Sequence, residues 1–314
     1  MVNPKHVPVA LERCIELLTP AIKISENPII VDATLGLGGH SFELLSRFPQ
    51  LKIIGIDRDA EAIAYSKKRL AQFGTRITFN NEIYSEFLAV LELNKVEKIN
   101  GAIFDLGVSS MQLDQISRGF SYSQKAPLDM RMDQTKGLTA QDVINTYEKS
   151  DLIRVLREYG EERFANKIAE NLIKNRGKIK DTEQLAELVK SSIPAPARRV
   201  GGNPAKRTFQ ALRIEVNQEL KALEIAIPAA IASLKVGGRL IVLSYQSLED
   251  KIVKKFFTDV TKSKTPLGLP IELPNGQAKF KVITKGSEQA SQIEITTNPR
   301  AQSLRLRGIE RLAA

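Results

Sequence analysis

The chain has 314 residues, with 46 Lys and Arg against 36 Asp and Glu, a formal charge of +10. At about 150 residues per domain it is long enough for roughly two domains and a self-sufficient core, and no apolar run approaches the ~18 residues that span a bilayer. A single cysteine, Cys14, and two histidines, His6 and His40, exclude an internal disulfide, a Cys-pair zinc site and a His-Glu-x-x-His metal helix, so no metal is expected.

Glu12, Arg13 and Glu16 interrupt the N-terminal apolar stretch. No signal-peptide core is therefore expected, and the protein is read as cytoplasmic with no membrane partner. The basic excess suits an anionic partner such as nucleic acid, although on charge alone ordinary solvation explains it equally well.

Over the first hundred residues short β-rich runs alternate with helical patterns, which predicts βαβ units and a parallel sheet. Residues 29–31, 53–56, 77–79 and 102–104 read as buried strands, with helices over 59–73 and 85–93. Residues 109–137 read as a loop, and helical patterns follow to residue 193. Thr139 with Asp142, and Asp181 with Gln184, supply helix-start signals. The Pro- and Gly-rich stretch 194–204 breaks regular structure before one long helix, predicted over 205–227. Gly237-Gly238 then leads into a strand over 239–244, a helix over 247–261, and two closing strands over 280–284 and 303–312. The expected organisation is an α/β Rossmann-like domain in two parts, 1–112 and 216–314, interrupted by a mainly helical substrate domain over 113–215.

The first predicted strand ends in Asp32 and runs into Gly36-Leu-Gly38-Gly39-His40; Asp57 stands nineteen residues after Gly38, at the end of the second strand. Glycines between a parallel strand and a helix let the backbone approach a ligand closely. An ionised Asp is an acceptor suited to both hydroxyls of an adenosyl ribose. Together they indicate a nucleoside-bearing cofactor. A dinucleotide loop would place its third glycine at position 41, which is Ser41. S-adenosylmethionine, which has no pyrophosphate, is the better fit, with an NAD-dependent oxidoreductase as the alternative. A second acid, Asp105, ends the fourth strand, where open α/β sheets bind ligands, and is placed to face the reacting methyl.

In chain order the sequence carries Asp32-Ala-Thr-Leu-Gly-Leu-Gly-Gly-His-Ser41, Asp105-Leu-Gly-Val-Ser-Ser110, Gln112-Leu-Asp114 and Arg118-Gly-Phe-Ser121. Pro127-Leu-Asp-Met-Arg-Met-Asp133, Thr208-Phe-Gln-Ala-Leu-Arg-Ile214 and Ser247-Leu-Glu-Asp250 follow. With these motifs the chain resembles, over nearly its whole length, the bacterial 16S ribosomal RNA cytosine-N4 methyltransferases, the RsmH or MraW family. The resemblance implies a class I Rossmann-like methyltransferase with an inserted helical domain. It also implies methyl transfer from S-adenosylmethionine to the exocyclic amine of a cytidine in the decoding region of 16S rRNA, within the small ribosomal subunit. By position it implies cofactor contacts at Gly38, Gly39, His40, Asp57, Tyr84, Asp105 and Gln112. Where many relatives read Ser-Phe-His-Ser-Leu-Glu-Asp this chain has Ser244-Tyr245-Gln246-Ser247, and Asn203 stands where His is common. Neither position can supply a general-base histidine.

The lone pair of a cytosine N4 is delocalised into the ring, so its hydrogens must be held by acceptors while alignment lowers the barrier, by up to roughly 7–11 kcal/mol. Asp105 is the first candidate acceptor. Asp129 is the second, unless it only pairs with Arg131. Methylation at C5 would need an attacking cysteine, and Cys14 lies outside every strand-end motif. Phe120 or Tyr122 could stack on the target base, or simply pack. Arg198, Arg199, Lys206 and Arg207, with Arg118 and Arg131, are expected to form a basic rim for rRNA phosphates, and the positive excess is expected around the insertion and residues 198–213. A homodimer is compatible with the fold, and the non-enzymatic alternative is an RNA-binding assembly factor with a vestigial cofactor fold.

Overall fold

In the computed structural model, residues 8–198, 202–263 and 276–313 are described; His6 and Arg199 lie outside them. Two compact units divide the chain, one of Met1–Gly107 with Leu220–Ala314 and one of Val108–Glu219.

The first unit is a seven-stranded sheet with helices on both faces. In chain order it runs α1 (Leu11–Lys23), β1 (Ile29–Asp32), α2 (Gly39–Arg47), β2 (Lys52–Ile56), α3 (Ala60–Arg69), β3 (Ile77–Asn80), α4 (Phe87–Leu93) and β4 (Ile99–Asp105). The second unit follows with α5 (Ser110–Asp114), α6 (Ala140–Thr146), α7 (Lys149–Glu158), α8 (Ala165–Lys174), α9 (Thr182–Ser192), α10 (Ala195–Arg198) and α11 (Lys206–Asn217). The chain re-enters the first unit through α12 (Glu219–Ser233), then β5 (Leu234–Ser244), α13 (Ser247–Thr261), β6 (Phe280–Val282), α14 (Gln292–Thr297) and β7 (Arg305–Arg311). The strand order is β3-β2-β1-β4-β5-β7-β6; the first five are parallel, and β7 runs antiparallel to both β5 and β6.

A parallel sheet covered on both faces needs apolar side chains at successive positions, pointing alternately up and down. In β4, Ala102 and Phe104 join the core beneath α4, α12 and α13, while Ile103 joins the one beneath α1, α2 and α3. In β5, Leu240 and Val242 take the first side, Ile241 and Leu243 the second. On α1 the buried residues Cys14, Leu17, Leu18, Ala21 and Ile22 recur at helical spacing. Each such Leu or Ile contributes about 1.5–3 kcal/mol of burial.

Several elements differ from the sequence expectation: α5 and α10 form inside the stretches 109–137 and 194–204, and β6 and β7 are shorter than 280–284 and 303–312. The helix expected over 205–227 is two helices, because Gln218 adopts a left-handed conformation with φ 51° and ends α11. The helix expected over 59–73 stops at Arg69 and gives way to a 3-10 turn around Gly74, whose φ is 56°. β5 begins at Leu234 rather than 239; its pairing jumps from Ile99–Leu234 to Gly101–Arg239, and the surplus residues, Gly237 and Gly238 among them, bulge out.

The second unit has its own core, built from Val143, Ile144, Leu152, Val155, Ile168 and Leu172 with their neighbours. The stretch expected as a loop over 109–137 is tied into it. Ala126 N–H donates to Thr182 Oγ1 at 2.9 Å, and Asn217 bonds the backbones of Met130 and Met132. The capping box at Thr139 and Asp142 forms as expected, as does the Asp181 cap on Gln184.

Candidate active site

The glycine loop leaves β1 and enters α2. Gly38 caps that helix with φ 70°, and a Cβ there would stand 2.8 Å from Leu70 Cδ1. A Cβ on Gly39 would meet Pro8 Cγ at 2.4 Å. No larger residue fits either position without displacing its neighbour. The loop is pinned from three directions. Gly36 N–H donates to Asp57 Oδ2 at 2.7 Å, Ser66 Oγ donates to the Gly36 carbonyl at 2.6 Å, and Arg69 donates to the Leu37 carbonyl at 3.1 Å. Ser66 and Arg69 escaped the sequence reading because nothing local separates them from any polar face of a helix.

Asp32, Asp57, Asp105 and Tyr245 stand at or just beyond the carboxyl ends of β1, β2, β4 and β5. Asp57 accepts one backbone N–H on each oxygen, from Gly36 and, at 2.8 Å, from Asp59. One lone pair on each oxygen remains for a pair of hydroxyls. Burial pushes Asp57 up to about 6. Asp32 is buried beneath the loop and accepts the Ser41 hydroxyl at 2.6 Å. Tyr84 presents its ring edge-on to Phe104 at 5.9 Å between centroids.

Asp105 is held by both backbone and side chain. Its N–H donates to Thr34 Oγ1 at 2.6 Å, and its Oδ1 accepts the Tyr245 hydroxyl at 2.6 Å. Its Oδ2 faces His40 Nδ1 across 3.9 Å. His40 Nε2 lies 3.1 Å from the Val9 carbonyl, which can only accept, so Nε2 carries the proton and Nδ1 is bare in the neutral ring. Burial favours that neutral form by lowering the histidine's pKa. Burial also pushes Asp105 up to about 6, against the hydrogen bond from Tyr245.

These two carboxyls affect stability. An unfolded Asp titrates near 3.9, so between about pH 4 and 6 the folded protein binds more protons at Asp57 and Asp105 than the unfolded chain does. Their contribution is present below that window and is lost as pH rises through it. Asp105→Asn, which cannot ionise, should therefore raise the melting temperature of the ligand-free protein at pH 7.5 by roughly 2–4 °C. At pH 4.5, where the carboxyl is already protonated, it should change little. Scanning calorimetry at the two pH values checks this.

In the second unit several expectations are corrected. Arg118 is 2 % exposed, and its guanidinium donates to the carbonyls of Arg131 and Met132, so it supports the chain and cannot reach a phosphate. Asp129 takes two charge-assisted bonds from the Arg131 guanidinium, at 2.8 and 2.9 Å, and a third from the Arg131 backbone at 3.0 Å. Those bonds hold its carboxyl below the usual range, which makes it a poor proton acceptor. They likewise commit Arg131. Phe120 is buried in the unit's core, and Tyr122 packs edge-on against Phe209 at 5.7 Å, which assigns both to packing. Gln112 is buried and closes a capping box with Ser109 on α5. Arg198 donates to the Ile193 and Ser191 carbonyls, whereas Lys206 and Arg207 are both exposed, Arg207 with one guanidinium nitrogen on the Glu161 carbonyl.

The charge is also differently distributed. Val108–Glu219 holds 19 Lys and Arg against 15 Asp and Glu, a net +4 of the chain's +10, about its share by length. Residues 198–213 carry five of those positives and no acid, so the unit's excess resides in that segment alone.

A profile of the MraW methylase family matches residues 3–312. The chain belongs to that family. A protein of Salinispora arenicola (strain CNS-205) named ribosomal RNA small subunit methyltransferase H is 54% identical over 309 residues, covering 98% of this chain and 83% of that one. One of the same name from Thermobifida fusca (strain YX) is 51% identical, covering 98% and 94%. Among solved structures, a putative methyltransferase from Streptococcus mutans in complex with SAH is similar at a TM-score of 0.43 and 16% identity, over 99% of this chain and 100% of that one. Family membership makes the chain a methyltransferase, and its own sheet is of the expected α/β, Rossmann-like class. Among the described residues no helix is long and apolar enough to cross a membrane, and no cluster of His, Cys, Asp and Glu is suited to a metal.

Proposed function

We propose that the protein transfers a methyl group from S-adenosylmethionine to the N4 amine of a cytidine in 16S rRNA of the small ribosomal subunit. The reading is carried by one conjunction. A chain of the MraW family presents two acceptor carboxylates, Asp57 and Asp105, at the carboxyl edge of its sheet beside a loop whose Gly38 and Gly39 leave no room for a side chain.

The residues present fit this cofactor. The remaining lone pairs of Asp57 suit the ribose hydroxyls, Tyr84 offers an aromatic wall for the adenine, and the Gly38-Gly39 backbone with His40 and Asp105 suits the amino-acid end. Bound there, the cofactor supplies an electrophilic methyl group on a sulfonium. Asp105 Oδ2 is the acceptor that holds the hydrogens of the amine, which helps the nitrogen lone pair to localise. Cys14 supports N4 over C5: it is 1 % exposed, and burial together with the Asp105 charge pushes its thiol well up, the opposite of what covalent attack on the ring requires.

The helical unit is the proposed rRNA-recognition domain, with Lys206 and Arg207, both exposed, as its phosphate contacts. Reversing charge at both (Lys206→Glu with Arg207→Glu) should weaken rRNA binding at least tenfold and flatten the salt slope by about 1–2. Filter binding between 50 and 200 mM salt measures both, and an unchanged slope would remove these residues from the interface.

The enzymatic reading is tested by incubating the protein with methyl-labelled S-adenosylmethionine and small subunits that lack the modification. Label in 16S rRNA is expected; rRNA binding without incorporation would favour the assembly-factor reading.

A further inference from the structure

We infer that Tyr245 is a positioning residue for methyl transfer: its hydroxyl fills one oxygen of Asp105 and fixes the other toward His40. This role rests on the reading of Asp105 as the acceptor at the methyl-transfer site, and it concerns a residue that the cofactor motif does not contain.

The turn that carries Tyr245 is fixed at both ends. Glu249, buried on α13, accepts the backbone N–H groups of Tyr245 and Gln246 on one oxygen, at 3.0 and 3.3 Å, and the Gln246 side-chain amide on the other at 2.9 Å. The next residue, Asp250, is gripped by the Arg307 guanidinium at 2.7 and 3.1 Å, and Ser244 Oγ donates to the Arg305 carbonyl at 3.2 Å. The phenol is therefore aimed at Asp105 by a backbone that β7 and α13 hold in place. Burial and the facing carboxylate keep its proton on, well above a tyrosine's usual range, so it donates at every working pH.

A carboxylate needs such a partner here. The terminal torsion of an Asp side chain is broad and nearly two-fold, so without a hydrogen bond to one oxygen the group is free to rotate. With Oδ1 filled, Oδ2 is the oxygen left to face bare His40 Nδ1. Their separation of 3.9 Å is too long for a direct hydrogen bond. Two acceptors at that distance suit a donor that brings two hydrogens, and they do so only while the carboxylate is ionised and oriented. The titratable groups facing this pair are His40 on α2, Asp32 at the end of β1, Cys14 on α1 and Glu249 on α13. Of these, His40 is held to the Val9 carbonyl and Asp32 to Ser41, while Tyr245 supplies the short bond to Oδ1.

The test compares Tyr245→Phe, which keeps the ring, with the full chain bearing 3-fluorotyrosine at position 245, a stronger donor. Asp105 is titrated in the ligand-free protein by carbon-13 carboxyl NMR, its signal assigned by its loss in Asp105→Asn, and S-adenosylmethionine affinity is followed by calorimetry from pH 5.5 to 8.5. Tyr245→Phe should move the Asp105 titration about one pH unit upward. It should also weaken cofactor binding several-fold at pH 6.5, with recovery at pH 8.5, while the fluorinated protein should shift the titration downward. Either variant decides the point if the other does not fold. Titrations that superimpose on the wild type, or a binding loss equal at every pH, would overturn the role of Tyr245. If Asp105→Asn is impaired while Tyr245→Phe behaves as wild type, only this inference falls. If Asp105→Asn itself binds and turns over normally, the underlying reading of Asp105 falls as well.

Discussion

Asp105→Asn should lower kcat/KM for methyl transfer by about two orders of magnitude while making the ligand-free protein harder to melt at pH 7.5. A hydrogen bond to a charged group contributes about 1.5–3 kcal/mol, which is roughly 10- to 150-fold at 1.36 kcal/mol per decade. Asparagine keeps the acceptor that Tyr245 requires at Oδ1 but places an NH2 where Oδ2 faces His40. An acceptor thus becomes a donor without a change of shape. Because the substitution also removes a carboxyl that burial has raised to about 6, the folded state gains at neutral pH. Lost turnover with raised stability is a signature that general misfolding cannot produce. Steady-state kinetics beside calorimetry on the same preparation would show it, and wild-type turnover would remove Asp105 from the chemistry.

Asp57→Asn is expected to act on cofactor affinity rather than on turnover at saturation. The Asp57 carboxylate accepts Gly36 N–H on one oxygen and Asp59 N–H on the other. An amide can accept only one of them, so its NH2 must confront the second N–H and also replace an acceptor for a ribose hydroxyl. Affinity for S-adenosylmethionine should fall by about a hundredfold, read by calorimetry, with kcat at saturating cofactor within about threefold of wild type. Unlike Asp105→Asn, the variant should show little gain in melting temperature, because the lost backbone partner offsets the removed charge. Affinity within twofold of wild type would mean that Asp57 does no more than shape the loop.

The sheet was readable because strands buried on both faces leave uninterrupted apolar runs, and residues 29–31, 53–56, 77–79 and 102–104 each fall inside an observed strand. The glycine loop was readable for a related reason: Gly38 turns with positive φ against Leu70, and Gly39 has no room for a side chain against Pro8. Interactions that pair distant parts of the chain left no such trace. Tyr245 and Asp105 are 140 residues apart, and Arg118 owes its burial to carbonyls at 131 and 132 that no periodicity announces. The break at Gln218 was hidden because good helix formers continue on both sides of it, and only its left-handed backbone separates α11 from α12. Charge behaved similarly: the count over the whole helical unit is unremarkable, while its order along the chain isolates residues 198–213.

The central claim is the atom that receives the methyl group. After reaction of the protein with S-adenosylmethionine and unmodified small subunits, 16S rRNA should be digested to nucleosides and analysed by mass spectrometry, with the modified position mapped on intact fragments. A single cytidine carrying one added methyl on N4 is the predicted product. A 5-methylcytidine, or a methyl group on any other base or on ribose, would contradict it.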